Sequence, residues 1–349
     1  MSKKDLSVRK RKNLDSSKKL SLIYSNFKSQ LEKTIKKQSF LVAVSGGPDS
    51  LALTALSYEY SIEKKNKVHF VIVDHGIRKN SKKEASAVKD FLKKKRIKLI
   101  ILTNKKKINK NVQSNAREVR YKLLLNFSLK HKIKFITTGH HRDDQIETFL
   151  IRLSRGSGVQ GLSSMSKLTN LNSKIKLFRP LLDEKKQNLI FLAKYYFGKI
   201  FKDPSNISQK YLRTKIRNLI KQFEKSGISH DRIISSINNL ATTRDTLNNY
   251  IQKIERACII KKNNKIFINL KKFELENEEV KLKIFSNCIK NISKNYYPPR
   301  AKKVLNLLCK IESNKILKTT LGGCVIYRDK YNLVIHKEEI KMAKNSNFQ

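Results

Sequence analysis

No run of apolar residues in this 349-residue chain approaches the roughly 20 that a bilayer-spanning helix needs, and stretches such as Leu99–Leu102 have the length of buried strands. A spanning segment is therefore excluded. The first nineteen residues are basic but lack an apolar core and carry Asp5 and Asp15, so they resemble neither a secretory signal nor a typical transit peptide. The expected location is the cytoplasm, or an organelle stroma if the chain is organelle-encoded, with no membrane partner. Cysteine is scarce: Cys258, Cys288, Cys309 and Cys324 are widely spaced in the C-terminal part, with no CxxC pair. That pattern argues for reduced thiols and against a disulfide or metal framework. Acidic residues are also few, 28 against 77 Lys and Arg, and the resulting formal charge of +49 attracts polyanions, of which nucleic acid is the commonest in a cytoplasm. Much of the excess is Lys beside abundant Ile and Asn, a bias that an A- and T-rich genome produces unaided, so charge alone favours RNA only modestly.

What the chain does contain is an alternation of short β-rich runs and helical patterns. Leu20, Ile23, Tyr24, Phe27 and Leu31 recur at helical spacing and predict an amphipathic helix over Ser17 to Lys37. Strands are predicted at Phe40–Val44, Val68–Val73, Leu99–Leu102 and Phe135–Thr138, each followed by a helix, which is the pattern of a parallel sheet covered on both faces. Ser81 and Glu84 have the spacing of a capping box at the second of these helices, and Arg117 to Leu129 makes the third. Beyond Pro204 long helical patterns take over, from Gln209 to Glu224 and from His230 to about Cys258, with a boundary near 226–229. The tail reads as a small α+β module: a strand at Ile266–Leu270, a helix from Glu276 to Ile292, a Pro298–Pro299 break, a helix to about Ile311, then β-like residues at Ile316–Leu321, Cys324–Ile326 and Leu333–Ile335. The fold class is α/β, a doubly wound, Rossmann-like parallel sheet followed by a smaller helical to α+β C-terminal domain.

The sharpest motif is Ser45-Gly46-Gly47-Pro48-Asp49-Ser50, directly after the first predicted strand and before its helix. In doubly wound sheets ligands sit at the carboxyl ends of strands. Paired glycines let the backbone turn tightly and offer N–H groups to an anion, and the following helix N-terminus adds partial positive charge. A plain Ser/Gly/Pro/Asp turn is the bland alternative. The Gly-Lys-Ser/Thr ending of a Walker A loop is absent, so transfer of a γ-phosphate is not indicated. Val73-Asp74-His75-Gly76-Ile77-Arg78 brings Asp74 and His75 to the same sheet edge. Arg117 and Arg120, three apart on one helical face, suit phosphate, although a solvated charged face is the commoner reason for such a pair. Gly139-His140-His141-Arg142-Asp143-Asp144-Gln145-Ile146-Glu147-Thr148 follows the fourth strand. There His140, Asp144 and Glu147 could hold Mg²⁺, accept a proton or grip an ammonium group; carboxylates in a first helical turn can also merely complement the dipole.

SGGPDS resembles the loop of the N-type, or PP-loop, ATP pyrophosphatases, which implies ATP cleaved between its α and β phosphates. Taken in order, SGGPDS, VDHGIR, AREVRY, GHHRDDQIET, RGSGVQGL, RPLL and DPSN, then the arginines of YLRTKIRN, resemble the tRNA(Ile)-lysidine synthetase family over about 40–218. Leu321-Gly322-Gly323 with Tyr327-Arg328 is a fainter likeness to that family's tRNA-binding domain, and longer members carry a further C-terminal domain with no counterpart read here. The resemblance implies a basic leader and packing helix over 1–38, a PP-loop catalytic domain over 39–226 and a tRNA-binding domain over 227–349. It implies a carbon–nitrogen-forming ligase: the C2 oxygen of the first-anticodon cytidine of isoleucine tRNA (CAU) attacks ATP, then free L-lysine displaces AMP. On that reading Ser45, Gly46, Gly47, Pro48, Asp49, Ser50, Asp74 and His75 bind the nucleotide, with Mg²⁺ at Asp49. Asp49, His140, Asp144, Glu147, Arg117, Arg120 and Arg213 carry the chemistry. The partner set is the tRNA, lysine and, as an open oligomeric option, a second copy in a homodimer. A cytidine thiolase of the same fold would call for cysteines in the catalytic half, where none occurs. An inactive RNA-binding protein is the remaining alternative, against which the intact SGGPDS and DDQIET stand.

Overall fold

The computed structural model describes residues 17–77, 80–104, 112–201, 212–294, 299–313 and 318–338. The chain divides into two compact units, Met1–Ala241 and Thr242–Gln349. In the first, β1 (Phe40–Val44), β2 (Val68–Asp74), β3 (Leu99–Thr103) and β4 (Phe135–Thr137) pair in parallel. Between them run α2 (Pro48–Lys64), α3 (Ser81–Lys94) and α4 (Val112–Lys130), preceded by α1 (Lys18–Thr34). Two short strands, β5 (Leu168–Asn170) and β6 (Lys176–Phe178), extend the sheet, β6 parallel to β4 and β5 antiparallel to β6. The sheet order is β3-β2-β1-β4-β6-β5, so the winding direction reverses between β1 and β4. A crevice outside the strand ends is expected at that reversal.

Strand periodicity explains the layering. In β1, Phe40, Val42 and Val44 join one apolar cluster with α1, α2 and the later helix α7 (Lys186–Phe197), while Leu41 joins another with Tyr121 and Leu124 of α4. Successive side chains thus enter cores on opposite faces, as a strand with no polar face requires. Helix α1 buries Leu20, Ile23, Phe27 and Leu31 against the first cluster, as its spacing predicts. Helix α5 (Arg142–Leu153) leads from β4 into a short α6 (Val159–Leu162), and a third cluster joins Ile146 and Leu150 to Ile216 and Ile220 of α8 (Leu212–Lys225) and Ile233 and Ile237 of α9 (His230–Cys258).

The second unit contains a five-stranded antiparallel sheet in the order β7-β8-β11-β10-β9: β7 (Ile259–Lys262), β8 (Lys265–Asn269), β9 (Lys318–Leu321), β10 (Cys324–Arg328) and β11 (Asn332–Lys337). Helices α10 (Leu270–Glu274), α11 (Glu278–Ser293) and α12 (Ala301–Glu312) contribute to its own core, among them Ile284, Phe285, Ile289 and Val304. No helix among the described residues is long and apolar enough to cross a membrane. One local expectation is corrected. Helix α3 is capped by Asn80, with Ser81 as its first helical residue and no side-chain cap bond, so the box of Ser81 with Glu84 does not form. The Glu84 N–H is instead bonded to the Asn80 carbonyl at 2.9 Å, as the first intrahelical bond.

Candidate active site

The glycine loop and the histidine-aspartate segment leave β1 and β4, the two strands flanking the winding reversal. Gly46 holds φ +84°, a left-handed conformation that glycine accepts without steric cost, and a Cβ there would lie 2.8 Å from Val88 Cγ2. Gly47 caps α2, and Pro48 occupies the first helical position, where a missing N–H costs nothing. The loop is tied to itself through Ser50: its hydroxyl accepts from Ser45 N–H at 3.1 Å, contacts the Ser45 hydroxyl at 3.0 Å and donates to the Gly47 carbonyl at 3.0 Å. The first intrahelical bond of α2 is Leu51 N–H to Gly47, so the Asp49 and Ser50 amides in its first turn have no intrahelical acceptor and are oriented for an anion.

Across the reversal, Gly139 packs directly on this loop. A Cβ at Gly139 would stand 2.7 Å from the Asp49 carbonyl oxygen and 2.9 Å from its carbon. This approach brings His141, 2% exposed, between two carboxylates: its Nε2 lies 3.5 Å from Asp49 Oδ2 and 3.5 Å from Asp144 Oδ2. Asp144 Oδ2 also accepts the His141 backbone N–H at 3.0 Å and so closes the first turn of α5. Burial disfavours a charged His141, but Asp49 and then Asp144 outweigh it and hold the ring above the usual histidine range. Burial works against ionisation of Asp144 as well, and the two neighbouring histidines overcome it, so its carboxyl titrates below the ordinary value.

His140 behaves oppositely. Burial, reinforced by Arg179, Arg117 and Arg213 and opposed by Asp144, pushes it down to about 4, and its Nδ1 lies 2.8 Å from the Thr138 hydroxyl. It is therefore a neutral imidazole near pH 7. Glu147 is 2% exposed and is held by Arg217 of α8, with Nε 2.5 Å from Oε1 and Nη2 3.5 Å from Oε2. Arg142 makes an ion pair with Asp231 of α9.

Of the residues singled out from sequence, Ser45, Gly46, Gly47, Pro48, Asp49 and Ser50 form one loop, and Asp49, His140 and Asp144 gather beside it. Asp74 and His75 are engaged locally. Asp74 Oδ1 accepts the Gly76 N–H at 3.0 Å, His75 Nε2 lies 3.1 Å from Arg120, and Asn104 donates to the His75 carbonyl. Arg117 lies over the Tyr121 ring at 5.2 Å, and Arg213 on α8 is exposed, yet both are near enough to act on His140. Arg78 and Asp203 to Asn206 lie outside the described residues. Three side chains lie in motifs quoted from the sequence but were given no role of their own: His141, Arg217 and Arg179. The last is 5% exposed, donates to the Ser166 carbonyl and the Thr169 hydroxyl, and is near enough to act on His140. The HH dipeptide and the RPLL run were visible, but not which histidine turns inward.

A strand-loop-helix with two glycines and orphaned helix-terminal amides, at the reversal of a doubly wound sheet, places the chain in the PP-loop class of ATP-using proteins. A family model described as a PP-loop domain matches residues 20–223. The tRNA(Ile)-lysidine synthase of Wolbachia pipientis wMel is 35% identical over 310 residues, covering 87% of this chain and 71% of its own length. That of Rickettsia felis is 32% identical, covering 91% and 74%. This chain belongs to the tRNA(Ile)-lysidine synthase family. Among solved structures, the U34-tRNA thiolase NcsA of Methanococcus maripaludis shares the fold, with a TM-score of 0.53, 21% identity, and coverage of 63% of this chain and 79% of that one.

Proposed function

We propose that this chain converts the first-anticodon cytidine of an isoleucine tRNA with a CAU anticodon to lysidine, using ATP and free L-lysine. The observation that carries this reading is the contact of the two half-sites: Gly139 rests on the Asp49 backbone, so a nucleotide held by the loop lies beside His140 and Asp144.

The chemistry needs three things from the protein. The triphosphate must be held with its α-phosphorus open to attack. The amides of the Ser45–Ser50 loop and the α2 terminus suit that task, and Arg117, Arg120 and Arg213 are the cations for charge that develops on phosphate. Mg²⁺ fits at Asp49, whose buried Oδ1 has no hydrogen-bond partner among the described residues. When bound there, it supplies charge neutralisation for the departing pyrophosphate. Secondly, the cytosine must be splayed from the anticodon loop, the usual way single-stranded RNA is read; the cytosine O2 then attacks the α-phosphorus and pyrophosphate leaves.

Thirdly, the lysine amine must shed a proton before it attacks C2 and AMP departs. His140, uncharged, and Asp144, held ionised, stand together beside the loop: Asp144 is the partner for the ammonium form, and the proton leaves by way of this pair. Glu147 then serves with Arg217 to hold α8 against α5. The test is incorporation: with ATP, Mg²⁺ and a CAU transcript, radiolabel from lysine enters the RNA. No label in tRNA, with transcript and ATP intact, rejects the reading.

A further inference from the structure

His141 is not needed by any step above, yet it is a deeply enclosed ionisable group, 2% exposed, that meets both halves of the site. It follows β4, it caps α5 through its own backbone, and its ring points back to the loop that follows β1. Two carboxylates, Asp49 from the nucleotide half and Asp144 from the acceptor half, approach the same ring nitrogen at equal distances of 3.5 Å. Without a donor between them they would face each other as like charges and turn apart. Gly139 is what admits the ring, because any side chain there would force the β4 end off the Asp49 backbone.

We propose that His141 is a positioning residue which fixes Asp49 and Asp144 relative to one another, and so sets the distance between bound nucleotide and attacking amine. It touches neither substrate. The inference rests on the proposed function, because the two carboxylates matter in this way only if one serves ATP and the other the amine. It also separates the roles of two adjacent histidines: His140 stands uncharged beside the reactants, and His141 faces the carboxylates that orient them. Preorganisation of this kind is what keeps reacting groups within a few tenths of an ångström of the productive geometry.

The test is a double-mutant cycle on ligand binding in the full chain, read by calorimetry with ATP and Mg²⁺ and no tRNA. His141→Gln is expected to weaken ATP at least tenfold, and Asp49→Asn to do likewise. The combined variant should lie within twofold of Asp49→Asn alone, because the ring then has no charge left to hold on the nucleotide side. In the tRNA assay, His141→Gln should lower kcat/KM for lysine at least thirtyfold while KM for tRNA stays unchanged. Losses that multiply in the combined variant indicate a general structural role and overturn the inference, as does a glutamine variant within threefold of wild type for both ligands. If the glutamine variant does not fold, ¹⁵N-histidine spectra of the wild-type and Asp49→Asn proteins decide. The buried Nε2 resonance must move on adding ATP and Mg²⁺ to the former and stay still in the latter; any other pattern overturns the inference. A wild-type chain that neither binds ATP nor labels tRNA defeats the proposed function and this inference with it. An active wild type beside an unaffected glutamine variant defeats the inference alone.

Discussion

Gly139→Ala is the smallest change that interrogates the site, because it adds one methyl group at the point where its two halves meet. The added Cβ would stand 2.7 Å from the Asp49 carbonyl oxygen, 2.9 Å from the Asp49 carbonyl carbon and 3.1 Å from the Ser50 nitrogen, all of them backbone atoms with no rotamer to yield. Restoring an ordinary contact requires the β4 end and the loop to separate by roughly 0.7 Å at a position where packing leaves little slack. Overpacking of this kind costs about 1 to 3 kcal/mol, which lowers the melting temperature of a unit this size by about 2 to 12 °C. The functional loss should exceed the loss of stability, since a displacement near 1 Å between reacting groups costs about 100-fold in rate. The assay is lysine incorporation into CAU transcript well below the melting temperature, beside thermal unfolding followed by circular dichroism. A Gly139→Ala enzyme with wild-type turnover would refute the idea that this contact sets the geometry of the site.

Further outcomes follow from the same geometry. Asp144→Asn keeps the oxygen that accepts the His141 N–H, so the fold should persist while lysidine formation is abolished; near-normal turnover rejects the role given to Asp144. Arg217→Ala strips the partner from a Glu147 side chain only 3% exposed and should destabilise the first unit by about 2 to 3 kcal/mol, below the range for a fully enclosed pair because Arg217 keeps one side in solvent. Urea unfolding measures this, and Glu147→Gln in the same background should recover part of the loss. His140 titrates near 4 when folded against 6.5 for the free side chain, so the unfolded chain binds the extra proton first and stability falls as pH drops from 6.5 towards 4. That single group accounts for roughly 3 kcal/mol of acid sensitivity, which His140→Ala should remove from that window in pH-dependent unfolding curves. The logarithm of the affinity for tRNA should fall linearly with the logarithm of salt concentration, as expected of a chain with formal charge +49; a flat salt dependence contradicts electrostatic capture.

The four parallel strands were legible because each is a short, mostly apolar run bounded by turn residues, and because helical periods separate them. The long helix α9 was equally plain, from His230 to Cys258. Two features escaped. Strands β5 and β6 are three residues each, and the first is exposed throughout, so no period could develop. Strand β7 was hidden at the end of α9, where Asn263 and Asn264, both with positive φ, turn it into β8; a paired asparagine between Ile-rich runs was the available hairpin signal. In the site, residue types gave the chemistry but not the directions of side chains. Adjacent histidines in an extended segment point to opposite sides, and only packing decided that His140 meets Thr138 while His141 meets the carboxylates. Glu147 was read as a candidate for lysine binding or proton handling; its pairing with Arg217, from a helix some seventy residues further along, is a contact that residue types alone do not announce.

The bond of ATP that breaks is the plainest readout of this chemistry. With ATP labelled at the α-phosphate, CAU transcript, Mg²⁺ and lysine, labelled AMP should appear in step with lysine entering the RNA, one for one, and not at all without transcript. Labelled ADP in place of AMP, or AMP formed independently of tRNA, would contradict that chemistry.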